Sequence, residues 1–174
     1  MKIFKLTFLI IPLLFIFQNI LYSDIPHYVD FKYILNESDA GKKAQTSLKK
    51  KLNDGIKKIQ NKQKRIQDEE KKIIQQKKVI SAEEYKKKVQ SLRNTVSSLQ
   101  KEKSSLIENI SQQRAKARNI LLKNLNPILS EYMKEKKIRM VVDKKSLLVA
   151  DENLDITKDI ITLLNKKLKT IKLN

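Results

Sequence analysis

Aliphatic residues recur at every seventh position at Leu52, Ile59, Ile66, Ile73 and Ile80, a spacing that draws one apolar stripe along a continuous helix. No other feature narrows the possible folds so sharply, because such a stripe is stable only against a second apolar seam. A second seam follows at once, with Tyr85, Leu92, Leu99, Leu106 and Ile120 on one heptad position and Val89, Val96, Ile110 and Ala117 four residues on; Lys103 and Gln113 are its exceptions. Between the two runs stands Ser81-Ala82-Glu83-Glu84, a capping box in which the Ser81 hydroxyl accepts from the Glu84 amide and the Glu84 carboxylate reaches back to the Ser81 amide. A new helix start between two helical patterns predicts an antiparallel hairpin. Its arm covers residues 42–120, with the tip near 77–81 and each helix on the order of 60 Å long.

The two helices are unequally seamed. The complementary positions of the first are Ile56, Gln63, Glu70 and Lys77, three of them polar, and Gly55 costs about 1 kcal/mol relative to Ala in a helix interior. The outer part of the ascending helix is therefore expected to be weakly held. Pro127 is expected to kink or restart the helix after Asn126.

Outside the arm the pattern changes period. Ile25 to Ile34, with Tyr28, Val29, Phe31, Tyr33 and Ile34 among polar residues, predicts a short strand, and Asn36-Glu37-Ser38-Asp39 a helix start near Asp39. Ile138 to Val142 predicts a second strand, Asp143 to Ser146 a turn, and Leu147 to Ala150 a third strand. Asp155-Ile156-Thr157 then caps a last amphipathic helix bearing Ile160, Ile161, Leu163, Leu164 and Leu168. The expected fold class is mainly α with a small β body, the body formed by residues 24–41 and 121–174 and the coiled-coil arm projecting from it. Three short strands are too few for a free-standing sheet, so oligomerisation is expected.

The first residues give the compartment. Lys2 and Lys5 precede an apolar run from Leu6 to Phe17, followed by Gln18, Asn19 and a stretch ending at Tyr22 and Ser23. A run of that length is too short to span about 30 Å of hydrocarbon and suits a cleavable secretory signal over 1–23, cut between Ser23 and Asp24. The expected location is the periplasm.

Export also decides how the charge is interpreted. The chain carries 38 basic against 19 acidic residues, net +19, which fits nucleic acid, acidic proteins or anionic lipid. An exported protein does not meet the chromosome, and Tyr85 is the sole aromatic residue in the arms, so base-stacking platforms are missing. Nucleic acid is thus not expected as the physiological partner. With no cysteine and only Gly41 and Gly55 as glycines, thiolate metal sites, a cysteine nucleophile and a glycine-rich phosphate cradle are excluded. His27 has no second imidazole or cysteine to complete a metal or catalytic set. Asp143, Asp151, Glu152, Asp155 and Asp159 lack calcium-loop spacing, and Asp155 and Thr157 are better read as helix caps. No enzyme and no cofactor is expected.

Two pieces of the sequence, YVDFKYILNES with AGKKAQ after it (Tyr28 to Gln45) and VVD, DIT and LN in order between Val141 and Asn165, flank the basic hairpin in an order and spacing that resemble the Skp/OmpH family of periplasmic chaperones. The resemblance covers the whole mature chain. It implies a homotrimer whose short strands form a common β body, with three hairpins enclosing a cavity that holds unfolded outer-membrane β-barrel proteins without ATP. A coiled-coil scaffold protein of the cell envelope is the alternative, and it would need a longer and tighter seam.

The residues expected to meet client or lipid are the arm cations Lys62, Lys64, Arg65, Lys71, Lys72, Lys77, Lys78, Lys86, Lys87 and Lys88. Their field steers acidic chains inward, and their long stems cover apolar segments without locking onto them. Lys77, Lys78, Lys86, Lys87 and Lys88, near the tip, are also placed to touch lipopolysaccharide or anionic phospholipid.

Overall fold

The computed structural model describes residues 25–173; the expected leader over 1–23 and its cleavage between Ser23 and Asp24 lie outside the described residues. Strand β1 (His27–Val29) is only three residues long. It stops because Asp30 turns the chain into a helix: its Oδ1 accepts the Tyr33 amide at 2.8 Å, capping α1 (Phe31–Glu37). The expected strand through Ile34 is corrected accordingly. Phe31, Tyr33 and Ile34 fit either period, and the Asp30 cap settles the choice, burying Ile34 completely.

A second cap turns the chain again. Ser38, itself fully buried, accepts the Gly41 amide at 3.3 Å and starts α2 (Asp39–Gln76). The corner is tight enough that a Cβ on Gly41 would collide with the Leu35 carbonyl oxygen. Across it Glu37 contacts Lys42 at 2.8 Å; the hydrogen bond to that carboxylate, and then its charge, hold Lys42 above the ordinary lysine pKa.

Helix α2 runs for 38 residues and α3 (Ala82–Lys136) for 55, about 57 and 80 Å at 1.5 Å per residue. Lys77 to Ile80 form turns between them. The Ser81 hydroxyl accepts the Glu84 amide at 3.1 Å, whereas the Glu84 carboxylate lies 3.8 Å from Lys88, so only half of the expected capping box forms. Partners run in opposite directions along the two helices, Gly55 against Leu106, Lys62 against Glu102 and Gln76 against Lys88, which makes the hairpin antiparallel.

Pro127 lies inside α3 and does not end it, so the helix does not restart after Asn126. Its ring denies a hydrogen bond to the carbonyl of Lys123, but Pro127 and Lys123 are both exposed, and a carbonyl on the solvent side of a helix costs little to leave without a helical partner. Leu121, Leu125 and Ile128 meanwhile hold the opposite side in the core. The helix ends at Lys137, which adopts the left-handed conformation (φ 56°) while the Ile138 amide reaches back to the Met133 carbonyl at 2.9 Å.

Strand β2 (Val141–Asp143) pairs in parallel with β1, His27 opposite Val141 and Val29 opposite Asp143. Tyr28 also bridges Asp155, and its carbonyl accepts the Ile156 amide at 3.0 Å. The third expected strand does not form. Asp143 and Asp151 each cap a short 3-10 turn, Lys144–Ser146 and Glu152–Leu154, leaving Leu148 and Val149 103% and 92% exposed between them. A strand needs a partner backbone, and among the described residues Leu147 to Ala150 has none beside it.

Helix α4 (Thr157–Lys167) closes the body, with Leu168 its C-cap rather than part of the helix. Asp155 accepts the Thr157 amide at 2.9 Å, but the Thr157 hydroxyl accepts the Asp30 amide at 2.8 Å and so ties α4 to the start of α1 instead of capping its own helix. Asn165 accepts the Asp39 amide at 2.8 Å. Val29, Ile34, Leu125, Ile160 and Leu164 are fully buried where these elements meet. Tyr132 packs on this cluster with its hydroxyl donating to Asp159 at 2.5 Å. Burial, and then that bond, push the Tyr132 pKa up to about 12. The fold is thus mainly α, a long hairpin on a small part-stranded base, and no helix among the described residues is long and apolar enough to cross a membrane.

Candidate functional site on the arms

The seam explains how the arm presents its charges. Ile73, Leu99, Ile110 and Ala117 are buried between the helices, while Ile56 and Val96 remain 38% and 48% exposed. The polar exceptions are used rather than merely tolerated. Lys103 donates to Gln63 at 3.5 Å, so the polar positions of the two seams meet in one weak rung. Beside it Lys62 contacts both Glu102 oxygens at 2.5 and 2.6 Å. Gln113 is buried, with its amide nitrogen donating to Asn109 at 2.7 Å.

Nine of the ten arm cations expected to meet client or lipid are exposed, and Lys88 is half-buried. The structure separates them by partner. Lys62 is held by Glu102, Lys87 by Glu83 at 3.1 Å, and Lys88 by Gln76 at 2.9 Å beside Glu84. Lys77 lies 5.8 Å from the centroid of the Tyr85 ring. Arg65 borders a shallow groove of about 290 Å³ with Lys62, Ile66 and Glu102. Lys64, Lys71, Lys72, Lys78 and Lys86 have no ion-pair partner among the described residues. The ten therefore form no single convergent site; they are a distributed field along the outer hairpin.

Two features escaped sequence reasoning. Val79, 79% exposed, and Ile74, 60% exposed, set apolar side chains among the tip lysines; both lie off the heptad positions, which was the available signal. At the other end of the arm a groove of about 760 Å³ opens where α2 and α3 leave the base, with Leu48, Leu52 and Leu121 in its floor and Lys49, Arg114 and Arg118 along it. Nothing in the sequence pattern brings those residues together, since the groove depends on how α1 packs over the hairpin root.

Among the described residues no group of three or more His, Cys, Asp or Glu side chains could hold a metal ion. His27 lies in β1 with its Nδ1 buried and unpartnered. What the arrangement offers chemically is apolar contact and positive charge at many weak points.

A family model described as outer membrane protein (OmpH-like) matches residues 27–164. The structure is similar to the crystal structure of a proposed outer membrane chaperone (OmpH-like) from Caulobacter crescentus CB15, with a TM-score of 0.79 and 17% identity over 91% of this chain and 95% of that one. At that identity the likeness is one of fold. No curated protein matches the chain.

Proposed function

Because the chain belongs to the OmpH-like family of outer membrane proteins, we propose that it is an ATP-independent periplasmic holdase, exported by a cleaved leader, that keeps unfolded outer-membrane β-barrel proteins from aggregating. The observation that carries this reading is the exposed, largely unpaired lysine field on a thinly seamed hairpin. A holdase needs many weak contacts that capture a chain without fixing its shape. Lysine stems supply apolar cover, their ammonium groups supply steering, and the Gln63 and Lys103 rung allows the arms to bend.

In this reading residues 24–41 and 121–174 form the body and 42–120 the arm, and three copies assemble through their bodies. Leu148, Val149 and the 56% exposed Met140 support the assembly, because a base this small leaves them without cover in a single chain. Lipid contact at the tip is a second reading, favoured by Val79 among Lys77, Lys78, Lys86, Lys87 and Lys88.

The test is dilution of a urea-unfolded β-barrel protein into buffer with and without the purified protein and no nucleotide. The expected result is a stable, soluble complex; aggregation at the rate seen in buffer would sink the proposal. Anionic vesicles that co-sediment equally with the protein and with a variant carrying Gln at the five tip lysines would remove the lipid reading.

A further inference from the structure

We propose that the groove at the root of the hairpin docks client segments in which apolar side chains stand next to carboxylates, an inference that rests on the chaperone reading and names a subsite within it. The floor is apolar, with Leu48 and Leu52 one turn apart on α2 and Leu121 facing them from α3. Arg114 and Arg118 stand one turn apart on α3, and Lys49 faces them from α2. No Asp or Glu lines the groove. Among the described residues none of these three cations has a carboxylate partner, whereas farther out Lys62, Lys87 and Lys88 all have one close by. Three uncompensated cations over an apolar floor are complementary to an acidic, apolar ligand. The guanidinium forks in particular match carboxylates through paired hydrogen bonds.

The shape favours a polypeptide over a compact molecule. The groove is open to solvent and continues past Leu35, Asn36 and Arg118 into a second one of about 570 Å³, where Asp30 and Asp143 stand beside Lys32, Lys144 and Lys145. Such a continuous track accepts an extended chain, with apolar side chains directed to the floor and acidic ones to Lys49, Arg114 and Arg118 in the first groove, the part free of carboxylates. Another copy of this protein is a poorer occupant, because its sequence holds 38 basic against 19 acidic residues.

The test uses the purified protein and short fluorescein-labelled peptides alternating Leu with Glu or Leu with Gln, read by anisotropy at low salt. The Leu-Glu peptide is expected to bind at least about tenfold more tightly than the Leu-Gln peptide, and R114Q/R118Q to abolish that preference, in keeping with the strength of charge-assisted hydrogen bonds. R114K/R118K, with circular dichroism matching the parent, is expected to keep part of it, and K77Q/K78Q all of it. A photo-crosslinking residue at Asn53, which also lines the groove, is expected to capture the Leu-Glu peptide. Equal affinity for the two peptides, or an R114Q/R118Q variant that binds as the parent does, would overturn the proposal. So would crosslinking to a second copy in the absence of peptide, or arginine-dependent binding of oleate with none of the peptide. If the protein suppresses β-barrel aggregation while the groove ignores both peptides, the subsite fails and the chaperone reading stands. Peptide capture without suppression leaves the subsite standing and sinks the chaperone reading.

Discussion

Leu106 of α3 rests on the bare backbone of Gly55 in α2, so that a Cβ added to Gly55 would lie 2.6 Å from both Leu106 methyl carbons. The glycine that weakens its own helix also admits the partner helix's side chain. Helix propensity favours Gly55→Ala by about 1 kcal/mol, and the displaced Leu106 opposes it. The two effects are expected nearly to cancel in the parent chain, and Gly55→Ala to stabilise by about 1 kcal/mol in a Leu106→Ala background. Urea unfolding of the four members of this cycle measures the coupling; simple additivity would show that Leu106 does not depend on Gly55.

Gly41 differs because the atom in the way is backbone. A Cβ there meets the Leu35 carbonyl oxygen, which cannot rotate aside as a leucine side chain can. Gly41→Ala is expected to cost about 2 kcal/mol or more and to loosen the corner between α1 and α2, seen as a lower unfolding midpoint and faster amide exchange at Ile34 and Ser38. A variant as stable as the parent would mean that the corner relaxes freely.

The Tyr132 hydroxyl is held protonated in the folded state, with its pKa pushed up to about 12, while an unfolded tyrosine titrates near 10. Folding therefore favours the protonated form. The stability this contributes is complete below about pH 10 and is lost as pH rises through about 12. Tyr132→Phe is expected to cost about 1.5 kcal/mol near neutrality by losing the hydrogen bond to Asp159. The gap between parent and variant should shrink above about pH 10; a gap that stays constant on further alkalinisation would remove the assigned role.

The Gln63 and Lys103 rung is a long, exposed polar contact that interrupts the apolar arm seam. Replacing both by Leu exchanges a marginal, exposed polar contact for partial apolar burial, and is expected to raise arm stability by about 1 kcal/mol and to slow amide exchange there. If arm bending serves client capture, the same variant should hold large unfolded β-barrels less well than small ones. Unchanged handling of both sizes would separate stiffness from function.

How much was legible in advance follows the range of the interactions. Heptad spacing, the Ser81 cap and the Ser38 region announced the two long helices, since each depends on neighbours within a few positions along the chain. The α1 helix escaped notice because Phe31, Tyr33 and Ile34 satisfy both strand and helix spacing, and a single carboxylate, Asp30, decides between them. The arm cations were legible as a class, but not which of them are neutralised: Lys62 and Glu102 are 40 positions apart.

Heptad periodicity and capping are local, and they are enough to specify a long, basic, unevenly seamed hairpin. Long-range packing settles that Leu147 to Ala150 has no strand partner among the described residues, that Pro127 stays within α3, that Gly55 receives Leu106, and that Arg114 and Arg118 border an apolar groove whose lining holds no carboxylate. Each of these depends on which distant backbone or side chain lies alongside, and periodicity carries no record of what faces a residue from the other side.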